Sequence, residues 1–248
     1  MAERLAVRNG SLGSRPLLAK GSRMTLSPVI FDMDGLLLDT KRLCLQSFVE
    51  TRRHFSLPDN LDTFLKCIGL RGAEPVRIIR ESLNGAMELD VFNDEWGRRI
   101  DARYAQGVPV KPGALELVQL LDHNGHSLAV ATSTQTADAR QRLQAAQLLH
   151  HFEFVIGGDQ VSRPKPDPEI FHKAAAELGV NVQDCVAFED SETGVRSAHA
   201  SGAKTVQIPD LIQPSMALRA LGHIIAPGLI EGAVTAGLLS LDILEARR

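Results

Sequence analysis

The chain has 248 residues, of which 44% are hydrophobic and 23% charged, a composition that supports one large domain or one domain with an insertion. Its net charge of -3 and its 4% aromatic content argue against a nucleic-acid-binding surface. Three widely spaced cysteines without a C-x-x-C pair argue against a disulfide framework and a zinc site, and the lack of a long apolar run predicts a cytoplasmic protein without a membrane partner.

Residues 1–27 differ in composition from a folded core. They carry five basic residues and one acidic residue, with glycine and serine interspersed. This composition is compatible with an organelle transit peptide. We favour the alternative, a disordered tail or an upstream start codon, with Met24 as the working start. The charged residues of this leader are Glu3, Arg4, Arg8, Arg15, Lys20 and Arg23.

The segment after the leader carries two closely spaced carboxylates. Residues 29–31 are apolar and predict a short buried strand, and Asp32, Asp34 and the turn residue Gly35 follow it. Because residues i and i+2 of an extended segment share a face, both carboxylates can point into one pocket. Two close carboxylates repel each other unless a cation or proton intervenes, and a hard cation such as Mg²⁺ prefers oxygen ligands. Taken alone, the same residues are equally compatible with an ordinary turn.

The remainder of the chain divides into two regions by pattern. Residues 41–107 contain no convincing strand, are interrupted by proline and glycine, and predict a small helical subdomain. From residue 112 onward helices and strands alternate, which predicts an α/β fold, a parallel sheet with helices on both faces. The predicted helices cover 112–121, 136–148, 168–178 and 192–201, and the predicted strands cover 128–131, 152–156, 185–188 and 204–208. Residues 218–244 predict C-terminal packing helices that break near 227–228.

Reactive side chains follow several of these predicted strands. Ligands of parallel sheets bind beyond the carboxyl ends of the strands, so these side chains are candidates for one site. Taken singly, each group also has an ordinary structural explanation, as a helix cap, an exposed lysine in a turn or an acidic first helical turn. Their joint occurrence at strand exits favours a functional site. The candidates are Asp32, Asp34, Thr132, Ser133, Lys165, Glu189 and Asp190.

Four segments of the chain carry a resemblance to a known family. They are residues 31–35 (FDMDG), 131–133 (ATS), 165–168 (KPDP) and 188–191 (FEDS) with Gly194. Together they resemble the haloacid-dehalogenase superfamily of hydrolases, in its phosphatase and phosphomutase branch. The resemblance spans about residues 29–208. It implies a Rossmann-like doubly wound core formed by residues 28–40 and 108–248, with residues 41–107 inserted as a helical cap.

The resemblance also implies a role for each matching residue. Asp32 would be the nucleophile, Asp34 the general acid and base, and Lys165 the cation that neutralises charge between nucleophile and phosphate. Thr132 and the Ser133 amide would bind the phosphoryl group. Mg²⁺ would be held by Asp190, by Glu189, by the Asp32 side chain and by the Asp34 backbone carbonyl.

Two positions help to distinguish activities within the superfamily. The dehalogenase branch lacks a second carboxylate because halide leaves without a proton, so Asp34 argues against dehalogenation. Phosphomutases of the β-phosphoglucomutase type usually carry a histidine where this chain has Cys44. We therefore expect a Mg²⁺-dependent phosphatase for a small sugar or polyol phosphate, acting through an aspartyl-phosphate. The alternatives are a β-phosphoglucomutase-like mutase and a non-catalytic phosphometabolite-binding protein.

The helical region contributes further candidate contacts. Residues 69–72 (GLRG) resemble the loop that closes over the active site in this family, and Arg71 could bind a substrate anion or could be an ordinary surface residue. Lys41 and Arg42, just after the first motif, favour a phosphorylated polyol or sugar acid if they face the pocket. A phosphonatase would need a Schiff-base lysine, for which Lys41 and Lys66 qualify by residue type alone.

Overall fold

The computed structural model describes residues 26–70 and 72–245, and the predicted leader and Arg71 lie outside this part of the chain, apart from residues 26 and 27. The described residues form one six-stranded sheet in the order β3-β2-β1-β4-β5-β6, and every neighbouring pair is parallel. The strands are β1 (Val29–Phe31), β2 (Leu128–Ala131), β3 (Phe154–Ile156), β4 (Val186–Glu189), β5 (Lys204–Gln207) and β6 (Ile224–Ile225). Strand β1, which leads into the first motif, lies at the centre between β2 and β4.

Helices cover both faces of the sheet and form the region between β1 and β2. The helices are α1 (Thr40–His54), α2 (Leu61–Cys67), α3 (Ala73–Leu83), α4 (Leu89–Ala105), α5 (Ala114–His123), α6 (Thr136–Ala145), α7 (Glu169–Glu177), α8 (Glu192–Ala200), α9 (Met216–Arg219), α10 (Leu229–Ala236) and α11 (Asp242–Glu245). None of those within the described ranges combines the length and apolar character needed to cross a bilayer.

Alternation along the buried strands builds two separate cores. Successive side chains of a strand point to opposite faces. Phe31 therefore packs into a core with α5, α6 and α10, and its ring stacks on Phe188 with centroids 5.1 Å apart. Ile30 packs into the other core with α7 and α8, where Phe171 is fully buried. This arrangement confirms the predicted α/β fold with helices on both faces of a parallel sheet.

The inserted helices α1–α4 have their own aromatic core. Phe48 lies at its centre, with ring centroids 5.8 Å from Phe64, 5.5 Å from Phe92 and 5.3 Å from Trp96. The insertion joins the sheet through two chain segments that run side by side. The Asp39 amide donates to the Pro109 carbonyl over 2.8 Å, and the Lys111 amide donates to the Leu37 carbonyl over 2.9 Å. The chain therefore enters and leaves the helical region through two adjacent segments that are hydrogen-bonded to each other.

Most predicted bounds lie within two residues of those in the structure, and two features differ by more. Helix α6 ends at Ala145 rather than at residue 148, because Gln147 adopts a left-handed conformation with a φ of 58° that a helix cannot continue through. Strand β6 extends the sheet by one edge strand beyond β5, in a region for which helices were predicted. Residues 218–244 therefore contain this strand as well as the helices predicted there. Ser191 caps α8, its hydroxyl accepting from the Gly194 amide over 3.1 Å.

Candidate active site

The carboxyl ends of β1, β2 and β4 surround a cavity of about 210 Å³. Parallel strands deliver the side chains that follow them to the same edge of the sheet, which explains why distant segments meet there. The insertion contributes the opposite wall through α1 and the loop after α2. The lining residues are Asp32, Asp34, Lys41, Gly69, Leu70, Thr132, Ser133, Lys165, Ser191 and Thr193.

Lys165 ties the first and fourth motifs together at the base of the cavity. Its ammonium donates to Asp32 Oδ1 over 2.7 Å, to Glu189 Oε1 over 2.5 Å and to the Ala131 carbonyl over 3.0 Å. Burial acts to lower the pKa of Lys165, but attraction to the two carboxylates outweighs it and the pKa is raised. The lysine therefore stays charged, and all three of its N–H donors are engaged.

Asp32 lies in a field that is negative overall. Burial is the largest cause that raises the pKa of Asp32 well above its usual value, and repulsion from Glu189 adds to it, while the Lys165 charge acts in the opposite direction. The single positive charge of Lys165 does not compensate the negative charges of both buried carboxylates. A further cation at this point would favour the ionised form of Asp32.

Glu189 is fully surrounded by hydrogen-bond donors. Its Oε2 accepts from the Asp190 amide over 3.1 Å and from the Ser191 hydroxyl over 3.2 Å, while Oε1 accepts from Lys165. The first turn of α8 passes close to this carboxylate, since a Cβ on Gly194 would lie 2.0 Å from it. Glycine at position 194 thus lets the backbone of α8 approach Glu189. Glu189 in turn holds Lys165 in place.

Asp190 has one oxygen engaged and one available. Its Oδ2 accepts from the Lys41 ammonium, and its buried Oδ1 has no hydrogen-bond partner among the described residues. Burial raises the pKa of Asp190 to about 6, against the lowering effect of Lys41. An unpartnered buried carboxylate oxygen is costly unless something binds it.

The acidic residues at this edge form a set that fits a hard divalent cation. Asp32, Glu189 and Asp190 each offer a carboxylate oxygen, and these three atoms lie within 4.8 Å of one another. Mg²⁺ takes oxygen ligands from one or two carboxylates and completes its shell with water and substrate oxygens. The free Oδ1 of Asp190 and the excess negative charge around Asp32 are the features that match such an ion. Glu189 is the least available of the three, because both of its oxygens are already in use.

Asp34 is held away from the carboxylate cluster by hydroxyl groups. Its Oδ2 accepts from Thr134 Oγ1 over 2.6 Å and from Thr132 Oγ1 over 3.2 Å. Arg142 of α6 approaches the other oxygen, Oδ1, to 3.5 Å, and its guanidinium lies over the Tyr104 ring at 4.2 Å. The side chain of Asp34 is thus oriented separately from that of Asp32.

The structure accounts for most of the candidate residues and adds others. Ser133 lines the cavity beside Thr132, whereas Arg42 is held outside it by Asp39 at 3.0 Å and Asp210 at 2.9 Å. Arg71 lies outside the described residues, although the two residues before it line the cavity. Sequence reasoning missed Thr134 as a partner of Asp34, although it is the third hydroxyl of a Thr-Ser-Thr run.

Arg142 was also missed, and for a different reason. It lies in α6, well after the Thr-Ser-Thr segment, on a helix whose hydrophobic pattern carries no functional signal. Its proximity to Asp34 comes from the way α6 packs beside β3, with Arg142 over the Tyr104 ring of α4, which no local motif predicts.

Comparison with known proteins assigns a family to this fold and site. The family model described as haloacid dehalogenase-like hydrolase matches residues 29–208. Among characterised relatives, the phosphorylated carbohydrates phosphatase of Thermotoga maritima is 30% identical over 181 residues, covering 73% of this chain and 84% of that protein. Fructose-1-phosphate phosphatase YqaB of Escherichia coli is 31% identical over 182 residues, covering 73% and 95%.

Solved structures give the same result. One is the crystal structure of a HAD family hydrolase from Deinococcus radiodurans with bound phosphate and sodium. Its sequence is 25% identical and its TM-score is 0.75, and the match covers 87% of this chain and 98% of that one. The chain belongs to the haloacid dehalogenase-like hydrolase family. The predicted resemblance and the expectation of a hydrolase enzyme are thereby confirmed.

Proposed function

We propose that this protein is a Mg²⁺-dependent phosphatase that hydrolyses a small sugar or polyol phosphate through an aspartyl-phosphate on Asp32. The observation that carries the proposal is the convergence of Asp32, Asp34 and the buried Lys165 on a single cavity, with the buried Glu189 and Asp190 directly beside them. Asp32 is fixed at its base by Lys165, and Asp34 is fixed separately by two threonine hydroxyls. Asp190 completes the set with an oxygen that no described residue binds.

Charge decides which groups the reaction needs. A phosphate monoester carries negative charge that repels the attacking carboxylate, so attack requires cations at the phosphoryl group. Lys165 supplies one charge, fixed by three hydrogen bonds. Mg²⁺ held by Asp32, Asp190 and the Asp34 carbonyl, with Glu189 beside them, would supply further charge neutralisation of the phosphoryl oxygens.

The first step forms a bond between an Asp32 oxygen and phosphorus, while the bond between phosphorus and the ester oxygen breaks. Asp34 donates its proton to the leaving alkoxide, which departs as an alcohol. In the second step Asp34 takes a proton from water, which attacks phosphorus and releases phosphate and free Asp32. The hydroxyls of Thr132 and Thr134 hold Asp34 in one orientation for both transfers.

The binding of the phosphoryl group is assigned to the end of β2. Thr132 is fully buried, and its hydroxyl donates to Asp34 and accepts from the Thr134 amide over 3.2 Å. The backbone turn that this network fixes presents Ser133 to the cavity. We assign phosphoryl binding to the Ser133 amide and to the ordered turn that Thr132 maintains.

The helical insertion is assigned the role of a cap that encloses the substrate. Gly69 and Leu70 line the cavity from the insertion side, and Arg71 follows them in sequence. A cavity of about 210 Å³ is suited to a small metabolite rather than a polymer. The names of the Thermotoga and Escherichia relatives, a phosphorylated carbohydrates phosphatase and a fructose-1-phosphate phosphatase, support a sugar or polyol phosphate as the substrate class.

One contact favours hydrolysis over a phosphomutase reaction. Cys44 occupies the position at which sugar phosphomutases of this superfamily usually carry a histidine. Burial raises the pKa of the Cys44 thiol, which lies 3.7 Å from the Tyr104 hydroxyl. A neutral, half-buried thiol is a poor proton carrier near pH 7, so transfer of the phosphoryl group to water is the outcome that this site favours.

The test is phosphate release across a panel of sugar, polyol and sugar-acid phosphates, with Mg²⁺ and with EDTA. We expect release that requires Mg²⁺ and is abolished in Asp32→Asn, while Asp62→Asn on the exposed start of α2 keeps full activity. Full activity in Asp32→Asn would contradict the assignment. Isomerised phosphosugar without free phosphate would instead establish a mutase, and ligand-dependent stabilisation without turnover would establish a binding protein.

A further inference from the structure

Lys41 occupies an unusual position between the insertion and the carboxylate cluster. It lies in the first turn of α1, lines the cavity, and forms an ion pair with Asp190. Its side chain is 18% exposed and that of Asp190 is 1% exposed. Among the described residues, the one hydrogen bond of the Lys41 ammonium goes to this carboxylate.

The ion pair compensates a buried negative charge. Asp190 lies beside Glu189, and a buried carboxylate without a counter-charge is strongly unfavourable. The space for the pair exists because residue 35 is glycine. A Cβ on Gly35 would lie 2.2 Å from Asp190 Oδ2 and 2.7 Å from Lys41 Cε. Lys41 is therefore built closely into the site.

A divalent metal and an ammonium cannot share Asp190 without repelling each other. The repulsion grows with the product of the two charges and is weakly screened in a buried site. Lys41 has a flexible four-carbon stem, so its ammonium can move into the adjoining cavity when a metal replaces it. Asp190 then keeps a counter-charge, supplied by the metal.

The displaced ammonium would meet the substrate. Among the described residues, two that line the cavity are cationic, Lys41 and Lys165, and the three donors of Lys165 are already engaged. In the part of the chain that the structure describes, the neighbouring cations are also engaged, since Arg42 and Lys111 pair with Asp210 and Arg142 approaches Asp34. A phosphoryl group entering the cavity would thus find the Lys41 ammonium free to donate.

We propose that Lys41 is an internal counter-ion that competes with the divalent metal for Asp190 and, once displaced, binds the phosphoryl group of the substrate. This inference rests on the proposed phosphatase function. Full binding of the substrate phosphoryl group then requires bound metal. Without metal, Lys41 is paired with Asp190, and only after the metal displaces it can it bind the substrate.

The test uses the full chain and isothermal titration calorimetry with two probes, MgCl₂ and then inorganic phosphate at saturating Mg²⁺. In Lys41→Met we expect the Kd for Mg²⁺ to fall by about tenfold, because the competing charge is gone. The Kd for phosphate should rise by about fivefold, because a charge-assisted hydrogen bond is lost. Lys41→Gln, which keeps polarity without charge, should change both constants in the same directions. Lys66→Met, at an exposed position of α2, should leave both constants within about twofold of the parent protein.

The opposite signs of the two changes identify the mechanism. A lysine that merely oriented Asp190 would weaken both Mg²⁺ and phosphate when removed, and that result would overturn the inference. An unchanged Kd for Mg²⁺ or an unchanged Kd for phosphate in both variants would overturn it as well. Failure of the proposed function is distinguishable, because there the parent protein itself would bind no Mg²⁺ and release no phosphate.

Discussion

Replacement of Lys165 by methionine tests how the site is held together. The lysine is 4% exposed and bridges Asp32 at 2.7 Å and Glu189 at 2.5 Å. Methionine fills a similar volume, so the change removes the charge and its three hydrogen bonds while largely preserving the packing. Two buried carboxylates then face each other without a cation.

The expected loss follows from the geometry of this bridge. Removing one partner of a buried ion pair costs about 3–5 kcal/mol, because the remaining charge stays buried and unpaired. For a protein of this size, 1 kcal/mol corresponds to about 2–4 °C in the thermal midpoint. We expect the midpoint of Lys165→Met in EDTA near neutral pH to fall by about 6–20 °C, measured by differential scanning calorimetry.

A second substitution separates charge repulsion from loss of packing. Glu189→Gln in the parent protein removes a partner of Lys165 and should lower stability. In the Lys165→Met background the same change removes an uncompensated charge and should restore about 1 kcal/mol or more. A midpoint within about 1 °C of the parent, or a Glu189→Gln effect of equal sign and size in both backgrounds, would refute this reasoning.

Three other outcomes follow from the site. Gly194→Ala should destabilise the fold by about 1–3 kcal/mol in urea denaturation, because its Cβ would lie 2.0 Å from the Glu189 carboxylate. Thr134→Val should lower kcat/KM by about tenfold, since the variant loses the 2.6 Å hydrogen bond to Asp34. Burial raises the pKa of Asp190 to about 6, so the metal-free protein should lose stability as pH rises from about 4 to about 6, because the folded state binds this proton more tightly than the unfolded chain. Mg²⁺ should therefore raise the thermal midpoint more at about pH 7 than at about pH 5, where protons compete with the metal.

The two substitutions each have a matched control in the same chain. Gly97→Ala, in α4 with open space around the added Cβ, should be neutral or stabilising by up to about 1 kcal/mol. Thr235→Val, in α10 and remote from the cavity, should leave kcat/KM unchanged. Equal stabilities of Gly194→Ala and Gly97→Ala would contradict the first expectation. Equal kcat/KM values of Thr134→Val and Thr235→Val would contradict the second. A Mg²⁺ effect on the thermal midpoint that does not depend on pH would contradict the third.

Much of the architecture was predictable because the central strands β1, β2 and β4 are fully buried and end at abrupt polar transitions. The apolar run before Asp32 and the run before Glu189 each mark a strand of the parallel sheet, so their carboxylates meet at one edge. Strand β6 was not predictable, because Ile224–Ile225 is a two-residue edge strand whose pairing depends on β5 rather than on local pattern.

Local pattern predicted the site residues at strand exits, and the family resemblance predicted Lys165, but neither predicted the contacts that hold them. Lys165 stands in a proline-rich loop, and its path to Asp32 depends on tertiary packing that no periodicity records. The same holds for Arg142, which reaches Asp34 from a helix, and for Lys41, whose proximity to Asp190 joins residues 149 positions apart. Sequence patterns thus identify the strand-end residues, whereas the contacts that orient them require the folded chain.

The central claim is that Asp32 becomes phosphorylated during turnover. The most direct measurement is acid quenching of the enzyme during turnover of a sugar phosphate, followed by mass spectrometry of its peptides. The account predicts a phosphoryl group on the peptide that contains Asp32, absent in Asp32→Asn and absent without substrate. Turnover with no phosphorylated peptide, or with the phosphoryl group on another residue, would contradict it.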